Sequence, residues 1–538
     1  MKKLWAACLG ALLCGVPAAW ADNPMPTDAE LEAAGARIGS IKIVSLDIFD
    51  LDDPRENKAM YRWANRLHVE TRESTLRAQL LFQEGDRYSR RLLDETARNM
   101  RRLRFLREPE VRTVAYHDGL VDIEVRSHDV WTLNPGVSFG RTGGKNRNGF
   151  EIEEFNLLGY GKRLSLGYTQ DVDRNRKFLR WTDPNVFGSR WTDAIELADT
   201  DDGRTLYLSA ERPFFALYSR WSAGFTLSSE DSQHDRYSLG TAIDRYDVQR
   251  RYADVFGGWS KGLRNSWVRR TIAGVRYDDN QFASIPGLST LPLPQNRRLA
   301  YPYVRVEWLE DDFSVANNLD QIQRSEDQQF GRLFSAQLGV AADALGSDRD
   351  AALLGFGAHR GWRLSEKSQV FVDGKLSGRF GNGQAENVLM SFDTRLYRRN
   401  GRRMTFYASL SGDWTNRLDA DRELILGGED GLRGYPLRYQ SGKSRVLLTL
   451  EQRLYTNWYL FRLAHVGAAA FIDVGRIYGQ DATNTPNKGW LADAGIGLRL
   501  GNARSALGNV LHIDLAYPLN ADPSIDKLQI LVQTKRSF

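Results

Sequence analysis

Three patterns in the chain have residue types and spacing suited to chemistry. Gly136-Val137-Ser138-Phe139-Gly140 has the spacing of a nucleophile elbow, where a sharp strand-to-helix turn presents a serine for acyl transfer. Seven histidines raise the question of a metal, which needs ligands a helical turn apart, as in H-E-x-x-H. Arg433-Gly434-Tyr435, inside "GGEDGLRGYPLRYQSGK" (427–443), places a guanidinium fork beside a residue without a Cβ and an aromatic ring. Such a fork suits bidentate pairing with carboxylates. The elements that must hold these residues decide among the three.

The first two fail on context. Val137 and Phe139 alternate with Ser138 as in a strand, and no helical pattern follows. The histidines are scattered and lack metal-binding spacing. No catalytic residue, metal or cofactor is expected, and the chain is not expected to be an enzyme.

The N-terminus has the form of a secretory signal over residues 1–21. Lys2 and Lys3 precede the apolar "LWAACLGALLCGVPA", and Ala19-Trp20-Ala21 supplies a cleavage site. Lipidation is disfavoured because Cys8 follows Trp5 by three and Cys14 follows Leu13 directly. Both cysteines lie in this leader, so a chain starting at Asp22 has neither disulfides nor thiolate chemistry. The leader lysines account for two of the +5 formal charges, leaving +3, too balanced a charge to indicate nucleic acid. No later apolar run reaches the roughly 18 residues of a membrane helix. A mean hydropathy of −0.47 suits a soluble protein and a transmembrane β-barrel equally.

Periodicity separates those two. Residues 22–37 read as a linker and 38–128 as a small α/β domain. "IGSIKIVSL" suggests a strand; Ala59, Met60, Trp63, Ala64 and Leu67 recur at helical spacing. A second helix follows Ser89, with Leu92, Leu93, Ala97, Met100 and Leu103 on one face. Two alternating strands flank His117-Asp118-Gly119. From 129 to 538 alternation is the only pattern: Leu164, Leu166 and Tyr168 oppose Arg163, Ser165 and Gly167, and Ile513, Leu515 and Tyr517 oppose His512 and Asp514. The polar faces suit a wet lumen, and closing the sheet removes edges that lipid cannot satisfy. An all-β transmembrane antiparallel barrel is therefore expected. Twenty segments can be marked, fifteen before a long loop at 415–443 and five after it. Thr534, Val532, Ile530 and Leu528 lead back from a terminal Phe538, with Arg536 interrupting the stripe.

These parts together resemble a known family. The domain containing "LLFQEGDRYSRRLLDETARNMRRLRFL" and "GLVDIEVRSHD" is similar to a POTRA domain. "WTDPNVFGSRW", Leu432-Arg433-Gly434-Tyr435 and "FIDVGRIYG" (471–479) resemble the outer-membrane assembly-factor superfamily that includes BamA, TamA and the two-partner-secretion translocators. The resemblance implies sixteen strands, fewer than the segments that can be marked, and usually several POTRA domains where this chain has room for one. It also implies the outer membrane of a Gram-negative-type bacterium, with the N-terminal domain in the periplasm.

Alternation then gives the arginine a destination. With Val446, Leu448 and Leu450 facing lipid, Thr449, Glu451 and Arg453 face the lumen. With Ala470, Ile472 and Val474 outward, Phe471, Asp473 and Gly475 face inward. An inward-folding loop would bring Arg433 to Glu451 and Asp473. Gly434 would allow close approach, Tyr435 would pack on the wall, and the small Gly475 would leave room. The resemblance points to the same contact. Arg90, Arg91, Arg98 and Arg101 make the second helix basic: a solvated face, or a contact with lipid head groups or an acidic partner. Val121, Ile123 and Val125 mark the strand expected to bind an extended client at a sheet edge.

The expected function is protein translocation or assembly at the outer membrane. Its partners would be an unfolded secreted or outer-membrane polypeptide, outer-membrane lipid and a periplasmic protein at the POTRA-like domain. Lipid transfer is the alternative, and a passive pore the weakest reading.

Overall fold

A strand with one apolar and one polar face is stable in a bilayer only when its backbone groups are paired on both sides. The computed structural model describes residues 25–535. In it, twenty antiparallel strands close into one barrel, from Leu133–Thr142 to Gln529–Lys535. Fifteen strands precede the 415–443 loop and five follow it. The sixteen strands implied by resemblance are therefore corrected to twenty. The reason is pairing, since each strand bonds to both neighbours in the ring and none is left over as a surface hairpin. Two short ladders stand outside the ring, Phe313–Asn317 with Ser325–Gln329 and Leu424–Leu426 with Gln440–Gly442.

The faces sort as alternation requires. Leu166, Val255, Val275, Leu338, Met390, Ile472 and Ile496 are exposed outside, while Glu451, Asp473, Arg499, His512 and Asp514 are buried inside. An apolar outer surface this continuous is a lipid-facing surface. Exposed Trp221, Trp259, Trp308, Trp362 and Trp458 lie near the strand ends closest to the N-terminal domain, and Trp414, Tyr478, Trp490 and Tyr517 near the others. Such girdles mark membrane–water interfaces. No helix among the described residues is long and apolar enough to cross a membrane.

The N-terminal part runs α1 (Asp28–Ala33), β1 (Arg37–Leu46), α2 (Ala59–Leu67), α3 (Glu73–Arg77), α4 (Arg90–Arg101), β2 (Leu106–His117) and β3 (Leu120–Asp129). Ile38, Leu76, Leu93, Met100 and Phe105 pack with the strands into one core. Three expectations are corrected. The linker segment holds α1 in its described part, and Leu31 of α1 enters the core. In α2, Met60, Trp63 and Leu67 are exposed, and Tyr61 turns inward instead to stack on Phe49. The sheet order is β1-β3-β2, so the strand carrying Val121, Ile123 and Val125 is central, parallel to β1 and antiparallel to β2. Those three side chains are core, and their backbone has no free edge to offer a client. The signal segment, Arg536 and Phe538 lie outside the described residues.

This domain covers one mouth of the barrel, the near mouth. Arg504 bonds Glu56 at 2.6 Å and the Ile48 carbonyl, and the Tyr61 hydroxyl donates to the Phe461 carbonyl at 2.9 Å. Farther round the rim, Thr75 donates to the Gly159 carbonyl, Gln79 to Asn185, and Asn99 to the Phe215 carbonyl. The Leu217 N–H donates to Glu95 at 2.7 Å.

Candidate functional site: a loop latched inside the barrel

The long loop leaves the strand Met404–Asn416 at the far mouth and returns through Ser444–Leu460. Its composition turns it inward. Leu426, Leu432, Tyr435 and Tyr439 have no apolar partner in water and bury together against Ile477 and Leu491 of the wall. Its base is pinned by charge: Asp419 accepts from Arg379 at 2.8 Å and lies 3.0 Å from Arg297, which also bonds Asp421. On another side, the Arg438 fork donates two bonds of 2.7 Å to Asp173 and a third, at 3.2 Å, to Glu429 of the loop itself. The Leu437 N–H donates to the Gly143 carbonyl, and Gly143 has φ +54 with the loop backbone lying where a Cβ would project. The loop thus crosses the far mouth.

At its centre is Arg433. Nε and Nη2 donate to the two oxygens of Asp473 at 2.7 and 3.0 Å, and Nη1 donates to Glu451 Oε2 at 3.1 Å. The guanidinium lies 3.3 Å over the Phe471 ring. Thr449 donates a further bond to Asp473. All three charged partners are buried, so their attraction is weakly screened and each desolvated group depends on the others. Gly434 is required by closeness: a Cβ there would stand 2.6 Å from Asp493 Cβ and 3.0 Å from the Pro518 nitrogen. The buried Tyr435 donates to Asn520 Oδ1 at 2.7 Å, and Gly475 leaves the space that Leu426 fills. The six latch residues named from sequence are therefore brought together.

Sequence reasoning passed over part of the cluster. Asp514 lies 3.8 Å from Arg433 and bonds Arg499, and Asp493 faces Asp473 on the next strand. The same alternation, carried through Trp490–Asn502 and Val510–Pro518, points these side chains inward. A second inward segment, 311–332, was also missed. Arg453, stacked on Tyr407, links Glu451 at 2.9 Å to Asp320 of that hairpin at 3.3 Å. A line of charge thus runs from the far-mouth loop to the near-mouth hairpin.

The basic helix α4 meets that hairpin. Arg101 grips Asp327 through two bonds of 2.8 and 2.6 Å, Arg91 lies 3.7 Å from Asp311, and buried Arg98 stacks 3.9 Å over Phe313. Arg90 pairs with Asp94 on its own helix. Of the two contacts expected for this face, the structure places an acidic one within the chain: Arg91 and Arg101 meet carboxylates of the barrel's own connection, while Arg98 lies over Phe313 and 4.0 Å from Glu95 of its own helix. Ser138 lies inside the strand Leu133–Thr142 with a strand on either side and no elbow helix.

The Omp85 superfamily domain model matches residues 156–534, most of the chain, and the protein belongs to that superfamily. Membership places it, as a class, among outer-membrane proteins that assemble or secrete polypeptides rather than among enzymes. Comparison with curated proteins gave no match. Among solved structures the chain is similar to BamA from Haemophilus ducreyi lacking POTRA domains 1–3, at 15% identity and TM-score 0.39, covering 93% of this chain and 85% of that one. It is also similar to CdiB from Acinetobacter baumannii, at 12% identity and TM-score 0.44 over 94% and 74% of the two chains. CdiB from Escherichia coli gives 13% identity and TM-score 0.46 over 93% and 76%.

Proposed function

We propose that the protein takes an extended polypeptide at a POTRA-like domain in the periplasm and passes it into or across the outer membrane at the seam of its barrel. The observation that supports this reading is the seam itself. Among the described residues the first and last strands share one registered pair, Arg141 with Val532, whereas Leu133–Thr142 shares ten with its other neighbour and Gln529–Lys535 seven. The lumen is crossed by the latched loop at one end and capped at the other, which leaves the seam as the wall with fewest bonds to part. Backbone groups exposed there can pair with a client strand and be repaired when it leaves. Capture belongs on β2: the edge of β1 is occupied near Ile38 by bonds to residues 85 and 86, while among the described residues β2 pairs with β3 on one side alone. Lipid transfer loses its support now that α4 faces the barrel, and a passive pore does not suit two closed mouths.

A staple tests it. With both native cysteines in the leader, Arg141→Cys with Val532→Cys can be oxidised in an otherwise thiol-free chain. Client transfer is expected to stop on oxidation and return on reduction, with barrel levels constant. Transfer that continues through a locked seam would remove the seam from the mechanism.

A further inference from the structure

We propose that α2 is an interfacial anchor that seats the N-terminal domain on the bilayer surface, with Met60, Trp63 and Leu67 inserted among the lipids. This rests on the reading of the barrel as membrane-embedded. The three residues recur at i, i+3 and i+7, which places them on one face of the helix. They are 56%, 63% and 62% exposed, an unusual state for three large apolar side chains in a row. The opposite face is fixed. Tyr61 stacks on Phe49 at 4.5 Å, and the Asn65 amide bonds the Phe49 backbone in both directions, so the stripe cannot roll inward.

What covers the stripe follows from where the helix sits. The Tyr61 hydroxyl bonds the carbonyl of Phe461, at the turn joining Ser444–Leu460 to Ala464–Tyr478. Phe461 is 77% exposed, and Trp458, Leu460 and Leu463 beside it are exposed too, as part of the near-mouth girdle. The helix therefore continues an established lipid-facing surface at the depth where aromatic side chains meet head groups. Exposed Lys58 at the N-cap and Arg62 and Arg66 on the helix supply the cations that an anionic head-group layer favours. A partner protein would need neither the adjacency to the girdle nor the basic flank.

Nitroxide accessibility of the full chain in vesicles of phosphatidylethanolamine and phosphatidylglycerol tests this. Trp63→Cys and Leu67→Cys carry the label in turn, Ile496→Cys on the outer wall gives the lipid reference, and Arg55→Cys the aqueous one. At 63 and 67, collisions with oxygen are expected to exceed those with a water-soluble nickel complex, as at 496 and opposite to 55. Nickel access at 63 and 67 equal to that at 55, with 496 still lipid-exposed, overturns the anchor alone. Protection from both reagents at 63 and 67 means a protein covers the stripe and also overturns it. An aqueous reading at 496 would instead overturn the membrane-embedded barrel.

Discussion

Arg433 makes three charge-assisted bonds to two buried carboxylates, and removing it leaves Asp473 without its paired cation and Glu451 with Arg453 as its close bonded one. Breaking a buried pair by deleting one partner costs about 3–5 kcal/mol. Arg433→Ala is therefore expected to free the loop, lowering the thermal midpoint and opening 417–443 to protease, while the ring of strands survives. Client transfer should fall at normal barrel levels; unchanged transfer would separate the latch from the mechanism. Arg433→Lys keeps the charge but loses the fork, and should fall between the two. Gly434→Ala acts differently. Its Cβ would meet Asp493 and the Pro518 backbone, atoms with little freedom to move, and overpacking of this kind costs about 1–3 kcal/mol. The same protease assay should show the loop displaced although every charge remains.

Among the elements, the 311–332 hairpin is the most responsive to conditions. Glu326 accepts N–H bonds from Leu319, Asp320 and Gln321, yet burial, with the Asp320 charge adding to it, pushes its carboxyl up to about 7. A folded-state value raised from 4.5 means stability is full below that value and declines as the pH rises to about 7. The hairpin should therefore loosen between these limits and stay loose above them. A nitroxide at Val315 should gain mobility over that range, and Glu326→Gln should abolish the change. Equal mobility at pH 5 and pH 8 in the parent chain would exclude the effect. The hairpin also joins two other parts, through Arg101–Asp327 to α4 and Asp320–Arg453 to the latch wall. A double-mutant cycle between Arg101→Ala and Arg453→Ala should show non-additive stability if the hairpin transmits one contact to the other.

At the scale of the whole molecule, two closures lie in series along one lumen. The latched loop crosses the far mouth, and the N-terminal domain sits across the near one through contacts such as Arg504 with Glu56. Series barriers conduct only when both are open. In planar bilayers the parent chain, Arg433→Ala and Arg504→Ala should each stay nearly silent, while the double variant should conduct. Conductance from either single variant would show that the other closure does not seal.

Alternation alone fixed the barrel and the destination of Arg433, because a side-chain period of two sets which residues face inward whatever the strands pair with, whereas the choice of twenty strands over sixteen came from their pairing. Glu451 and Asp473 were legible for that reason; Asp514 was read as lumen-facing but not joined to the latch, and Asp493 and Arg499 carried the same signal unread. Tertiary structure decided what periodicity leaves open. The β1-β3-β2 order made Val121, Ile123 and Val125 central, since two strands with identical alternation differ in edge or centre only through their partners. Docking turned Arg91 and Arg101 toward carboxylates of a distant hairpin and Arg98 onto its Phe313 ring, contacts set by three-dimensional proximity rather than spacing. In α2 the apolar stripe was visible but its direction was not: a helical period names a face, and only the packing of Tyr61 and Asn65 says which way that face looks.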